Sequence, residues 1–206
     1  MSQEAYITRY NKEQYNGVLF LMREANNGGK QENYNDVIRG NAAWLDRVIH
    51  YHYDHNTVLE DKDKRSAISK YGNRFAEILK ALPVEDQRLE SIAYVNINPS
   101  GGGNVKSKEH DKQLEKLDQR MKEIFTVIPK KETKFIITCK DAFDALHLSE
   151  IQKNKGLKYK NGKIGRGRAG KKADEDIIYL EMKIHPCRSP VFEKNYTLDV
   201  DAIFAK

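Results

Sequence analysis

The chain has 206 residues, of which 39% are hydrophobic and 32% are charged, and its formal net charge is +6. A chain of this length buries roughly two-thirds of its unfolded surface, so we expect a single domain spanning residues 1–206. The chain has no apolar run of about eighteen residues, residues 1–12 are polar, and two cysteines are too few for a disulfide framework. These features argue against membrane-spanning and disulfide-rich secreted proteins and predict a soluble, cytoplasmic one.

Short, nearly continuous apolar runs predict strands that are buried on both faces of a parallel sheet. In chain order these four runs are 18–22, 92–97, 135–139 and 177–184. Apolar residues at helical spacing predict helices between them, over 42–53, 66–81, 108–125 and 141–148. This alternation predicts an α/β protein, a three-layer α/β/α sandwich around a four-stranded, mainly parallel sheet. The glycine-rich stretches 101–103 and 162–170 are expected to be loops.

The excess positive charge is concentrated in one stretch. Residues 151–173 contain no Asp or Glu, and they contain nine basic residues: Lys153, Lys155, Lys158, Lys160, Lys163, Arg166, Arg168, Lys171 and Lys172. Such a run can bind the phosphates of a polyanion by releasing their counterions. A solvated surface loop explains the same run, and the composition alone does not separate the two.

Polar residues follow three of the predicted strands, where an open parallel sheet places its ligand site. Glu24, Ala25 and Asn26 follow the first strand, Asn96 lies near the end of the second, and His185 follows the fourth. Taken singly, these residues have structural explanations as a capping acid, a turn amide and a packed imidazole. Their coincidence at three strand ends predicts a shared site.

The order of these segments resembles the uracil-DNA glycosylase superfamily over most of the chain. Residues 21–26, Leu-Met-Arg-Glu-Ala-Asn, stand where that family has its first motif, commonly Gly-Glu-Ala-Pro-Gly. Residues 94–96, Tyr-Val-Asn, stand where a strand ends in the Asn that reads the base, and 185–187, His-Pro-Cys, resemble the family's His-Pro-Ser motif. The chain departs from these motifs, because Arg23 replaces a glycine, Asn26 a proline and Cys187 a serine.

The resemblance implies a DNA glycosylase-like protein of base excision and DNA repair, which hydrolyses the N-glycosidic bond of uracil or another deaminated or damaged base. The nucleotide would leave the stack, and Asn96 would read its pairing edge beside Ala25 and Asn26. His185 would stabilise negative charge on the departing base, and Glu24 would stabilise positive charge on the sugar or orient the attacking water. No metal and no other cofactor is implied, because the iron–sulfur members of the family use four cysteines and this chain has two.

The expected partner is DNA, single- or double-stranded, containing uracil or damage, and no membrane is expected. Lys163, Arg166 and Arg168, which alternate with glycines, and Arg188 are the expected DNA contacts. Two alternatives remain open: a non-catalytic nucleic-acid-binding protein that retains the fold, and a nucleotide- or nucleoside-binding enzyme. The changes at Arg23 and Asn26 favour the first alternative, whereas the basic run favours a polyanion over a free nucleoside.

Two further sets of residues leave their roles undecided. Tyr34 and Trp44 are the candidates for the aromatic side chain on which a base would stack. His50, His52 and His55 suggest a metal site, but His also commonly occupies the end of a helix for electrostatic reasons. The helix-end explanation is the simpler one, so we predict no metal site.

Overall fold

The computed structural model describes residues 7–24, 45–46, 67–98, 114–153, 155–159, 167–183 and 196–197. The strands in these ranges are β1 (Ile7–Arg9), β2 (Val18–Glu24), β3 (Ala93–Asn98), β4 (Phe135–Cys139), β5 (Glu150–Gln152), β6 (Lys158–Tyr159), β7 (Ala169–Lys171), β8 (Ile178–Met182) and β9 (Tyr196–Thr197). The helices are α1 (Ala67–Ala81), α2 (Leu117–Ile124), α3 (Lys140–Ala145) and a 3-10 helix, Leu89–Ser91.

Seven of the strands form one mixed sheet in the order β1-β3-β2-β4-β8-β7-β5, and β6 pairs separately with β9. The four strands at its centre, β3, β2, β4 and β8, are parallel to one another. They are the four strands predicted from the apolar runs, so the expected α/β class is confirmed. The outer strands β1, β7 and β5 are antiparallel to their neighbours.

The prediction of a four-stranded, mainly parallel sheet is therefore wrong in strand number and in strand direction. The additional strands contain three residues each and carry Arg, Glu, Gln, Gly or Lys instead of apolar runs. Such segments become strands because a neighbouring strand offers hydrogen-bonding groups, which no local pattern reveals. The prediction of a loop over 162–170 is likewise wrong at its end, where β7 begins at Ala169.

Alternate side chains of the central strands fill two cores, one on each face of the sheet. Phe20 and Met22 pack with α1 on one face, and the Phe20 and Phe75 ring centroids are 4.4 Å apart. Leu19 and Leu21 pack with α2 and α3 on the other face. Helices thus cover both faces, which explains why the central strands are apolar at successive positions.

The predicted end of α1 is confirmed, whereas the predicted end of α3 is wrong. Helix α1 ends at Ala81, two residues before Pro83, because the residue that precedes a proline disfavours helical backbone. Helix α3 ends at Ala145 and not at residue 148, because His147 has a φ of 48°. Helix α2 covers 117–124 of the predicted 108–125, residues 114–115 are also helical, and residues 108–113 lie outside the described ranges. Of the predicted helix 42–53 the structure describes residues 45–46, which are helical.

The turn before β2 depends on a glycine. Gly17 has a φ of 87°, and its carbonyl oxygen accepts hydrogen bonds from Lys134 N at 2.8 Å and Phe135 N at 3.1 Å. A Cβ atom at this position would lie 2.7 Å from the Glu132 carbonyl oxygen. The turn thereby joins the start of β2 to the start of β4.

We expect Gly17→Ala to lower the free energy of unfolding by about 1–3 kcal/mol, because alanine is strained at this φ and meets the Glu132 carbonyl. The urea midpoint of unfolding measures the effect. Lys12→Ala, an exposed change in the preceding turn, is the control and should leave the free energy of unfolding within about 0.5 kcal/mol of the parent. Equal midpoints for the two variants would contradict the prediction.

Candidate functional site

The four parallel strands end along one side of the sheet, which we call the carboxyl edge. Their last residues are Glu24 on β2, Asn98 on β3, Cys139 on β4 and Met182 on β8. Glu24 is in register with Asn98, and Cys139 is in register with Met182. The backbone of Glu24 therefore lies beside Asn98, the last residue of β3, which is two positions after Asn96 along that strand.

The described residues include only some of the predicted site. They contain Asn96, Arg168 and the backbone of Glu24, and strand β8 ends three residues before His185. The other predicted residues lie outside the described ranges: Ala25, Asn26, Tyr34, Trp44, His50, His52, His55, Lys163, Arg166, His185 and Arg188. Their proposed roles stay predictions.

Asn96 lies inside the protein and is 4% exposed. Its Nδ2 donates a hydrogen bond to Thr8 Oγ1 on the edge strand β1, at 3.0 Å. Its Oδ1 is buried and has no hydrogen-bond partner among the residues that the structure describes. A buried acceptor without a partner costs about 1–3 kcal/mol. The described residues contain three other atoms of this kind, Arg9 Nε, Tyr10 Oη and Glu90 Oε2, and Asn96 Oδ1 is the one that lies on a strand ending at the carboxyl edge.

Thr8 is a site residue that the apolar pattern did not indicate. It lies 88 positions before Asn96 in a three-residue strand, and β1 contacts the sheet only through β3. By accepting a hydrogen bond from Nδ2, Thr8 directs the carbonyl oxygen of the amide away from β1. Because Nδ2 carries two hydrogens and donates one to Thr8, the amide offers its oxygen as an acceptor and one further N–H as a donor.

Arg168 is half-buried and belongs to a network of ion pairs. Its Nε donates to Glu181 Oε2 at 2.7 Å, its Nη2 to Glu181 Oε1 at 3.2 Å, and its Nη1 to Asp144 Oδ1 at 2.6 Å. The guanidinium carbon lies 4.7 Å from the ring centroid of Phe143. The hydrogen bonds with Glu181 raise the pKa of Arg168 above its usual value. Two carboxylates thus compensate the charge that was predicted to bind DNA.

Glu181 explains why Arg168 is held in this way. It is 4% exposed on a central strand, and its Oε2 also accepts a hydrogen bond from the backbone N of Arg168, at 3.1 Å. A buried carboxylate requires a charged or hydrogen-bonding partner. A glutamate within the apolar run 177–184 is a sequence signal for such a partner, although the pattern does not identify Arg168 as that partner.

The basic stretch lies at the carboxyl edge on both sides of residues 160–166. Strand β7 is antiparallel to β8, so its first residue lies near the last residues of β8, and Glu181 N donates to Arg168 O at 2.9 Å. Gly167 N donates to Leu157 O at 2.9 Å. The described residues on both sides of 160–166 therefore lie beside the ends of the parallel strands.

Gly167 is required by packing at this point. A Cβ atom on Gly167 would lie 2.4 Å from the carbonyl oxygen of Glu181, closer than any side chain tolerates. This glycine therefore permits the chain to approach β8. Its presence in the glycine-rich stretch has a structural cause that does not depend on phosphate binding.

Neither a metal centre nor a membrane span is found within the described ranges. No group of three or more His, Cys, Asp or Glu side chains in these ranges is placed to hold a metal ion. The described helices are all too short or too polar to cross a bilayer.

Comparison of the chain with models of known protein families, with curated proteins and with solved structures finds no match. The resemblance to uracil-DNA glycosylases therefore depends on the motif residues at 21–26, 94–96 and 185–187 and on their order along the chain.

We expect Thr8→Val to lower the free energy of unfolding by about 1–2 kcal/mol, because Asn96 Nδ2 loses its acceptor while the shape of the side chain is kept. Thr8→Ser retains the hydroxyl and is the matched control. Urea denaturation of both variants measures the difference. Equal midpoints would show that the hydroxyl does not hold the amide.

Arg168→Met should destabilise the protein by about 3 kcal/mol, because it leaves the buried carboxylate of Glu181 without its cation. The double variant Arg168→Met/Glu181→Met should recover most of this loss, since no unpaired charge remains. Lys172→Met removes a more exposed ion pair with Asp118 and should cost less than about 1 kcal/mol. A double variant as unstable as Arg168→Met, measured by thermal and urea unfolding, would contradict this account.

Proposed function

We propose that the carboxyl edge binds DNA and hydrolyses the N-glycosidic bond of uracil or of another deaminated or damaged base. The observation that carries the proposal is the unpaired Oδ1 of Asn96. It lies on the strand next to the one that ends at Glu24, at the edge from which the basic stretch leaves the sheet.

The free acceptor of Asn96 favours a base that carries a hydrogen-bond donor on its pairing edge. Uracil has a ring N–H at this edge, whereas cytosine has an unprotonated ring nitrogen, which is itself an acceptor. Two acceptors that face each other repel, and a buried polar group left unpaired lowers the affinity for the wrong substrate. Cytosine carries an amino donor beside that nitrogen, so the acceptor alone does not exclude it. Uracil is favoured where the second Nδ2 hydrogen of Asn96 faces the uracil carbonyl oxygen and would meet the cytosine amino group instead.

The chemistry requires charge stabilisation on both sides of the broken bond. Cleavage leaves negative charge on the base and positive charge on the sugar, and water completes the hydrolysis. We assign His185 to the base and Glu24 to the sugar or the attacking water, as the family resemblance implies. The short connection of two residues between the end of β8 and His185 supports a place for the imidazole near this edge.

A non-catalytic nucleic-acid-binding protein is the second candidate. Arg23 favours it, because this residue stands where the family has a glycine and a side chain there changes how closely a nucleotide approaches the backbone. A nucleotide- or nucleoside-binding enzyme is the third, and it would use the same edge without the basic stretch.

Single- and double-stranded oligonucleotides that contain uracil, followed by alkaline cleavage at abasic sites, test the proposal. We expect cleavage of the uracil strand but not of the matching cytosine strand. Glu24→Gln and His185→Ala should each lower the rate by about 10²–10⁴-fold, because each removes a group that acts in the transition state. Glu13→Gln, an exposed change near the start of β2, is the control and should retain the rate.

Each other outcome of this assay contradicts the enzymatic proposal in a different way. Salt-sensitive binding to the oligonucleotides without abasic product would identify a binding protein. Binding of free uridine or uracil without binding to oligonucleotides at low salt would favour the nucleotide- or nucleoside-binding enzyme.

A further inference from the structure

Three lysines lie at the carboxyl edge on the side of the sheet away from Asn96. Strand β5 is antiparallel to β7, which is antiparallel to β8, so β5 runs parallel to the central strands and ends at the carboxyl edge. Lys153 directly follows β5. Lys155 and Lys158 flank the residues at which Gly156 N donates to Gly167 O, beside the start of β7.

These lysines differ from Arg168 in their partners. Lys153 and Lys158 are exposed and Lys155 is half-buried, and none of the three forms an ion pair within the described ranges. Arg168, by contrast, is compensated by Glu181 and Asp144. The lysines therefore keep their charge available for an anionic partner.

The geometry of the sheet gives the distance between the lysines and the proposed reaction site. Four strand spacings separate β5 from β2 in the order β2-β4-β8-β7-β5. At about 4.8 Å per spacing this is about 19 Å. Phosphates of one strand of duplex DNA rise about 3.4 Å each along the helix axis, so the distance corresponds to about six nucleotides.

We infer that Lys153, Lys155 and Lys158 form a phosphate-binding track that holds a DNA strand about six nucleotides from the nucleotide at Asn96 and Glu24. The position of that nucleotide rests on the proposed function, whereas the track itself does not. A nucleic acid fits the track better than a lipid surface does. Ile151 is the only exposed large hydrophobic side chain in the described ranges, and interfacial membrane binding requires a larger apolar face.

The test compares double-stranded oligonucleotides that carry one uracil near one end and extensions of 2, 4, 8 or 12 base pairs on the 5′ or the 3′ side of the uracil. Fluorescence anisotropy measures the dissociation constant at several salt concentrations. For the intact protein we expect affinity and salt dependence to increase as the extension on one side reaches about six nucleotides.

The triple variant Lys153→Gln/Lys155→Gln/Lys158→Gln should lose about ten- to hundred-fold in affinity for the long extensions, and its salt slope should fall by about three. Its affinity for the shortest oligonucleotides should be unchanged. The control is Lys12→Gln/Lys131→Gln/Lys134→Gln, which removes the same charge from exposed positions at the opposite edge of the sheet. It should bind the long oligonucleotides with no more than a two-fold loss.

An equal loss in the two triple variants would overturn the inference, because it would show an effect of net charge alone. A loss that is the same for short and long oligonucleotides, or binding to phosphatidylserine vesicles without binding to oligonucleotides, would also overturn it. Urea midpoints equal to that of the parent establish that the variants fold. Failure of the proposed function, seen as no abasic product, leaves the length dependence measurable and is distinguishable from failure of the track.

Discussion

The parallel register of the four central strands is the constraint on which the candidate site depends. Parallel pairing brings the last residues of β3, β2, β4 and β8 to one edge, although these residues are far apart along the chain. The alternation of Leu19, Phe20 and Leu21 between two cores fixes this register, because a shift by one residue would exchange the two faces. The same packing therefore stabilises the fold and sets Glu24 beside β3.

Three polar side chains are buried in the described part of these central strands, and they are satisfied to different degrees. Thr138 donates to the Leu21 carbonyl oxygen at 2.6 Å, and Glu181 is held by Arg168. Asn96 donates one N–H of Nδ2 to Thr8 Oγ1, and its Oδ1 is an unpaired acceptor. The first two have structural roles that account for their contacts. The unpaired oxygen of Asn96 lacks such an account, which is the physical reason to look for a ligand there.

The apolar runs predicted the central sheet correctly because strands buried on both faces must be apolar at successive positions. The same reasoning predicted α1 to within one residue, since its apolar spacing is regular and Pro83 follows it. It missed β5 and β7, whose residues Glu-Ile-Gln and Ala-Gly-Lys are strands only through their partners. The contact between Thr8 and Asn96 was not predictable either, because no periodicity relates residues 88 positions apart.

The basic stretch contains residues with two different roles, which its composition does not separate. Arg168 is half-buried and is held against the sheet because Glu181 would otherwise be a buried, unpaired carboxylate, and Gly167 is needed for the approach to β8. Lys153 and Lys158 are exposed a few residues away. A sequence count assigns all these residues to one charged surface. The structure divides the described residues into two groups. Gly167 and Arg168 join the stretch to the sheet, whereas the charge of Lys153 and Lys158 is directed to solvent. Only these lysines add to the attraction for a polyanion.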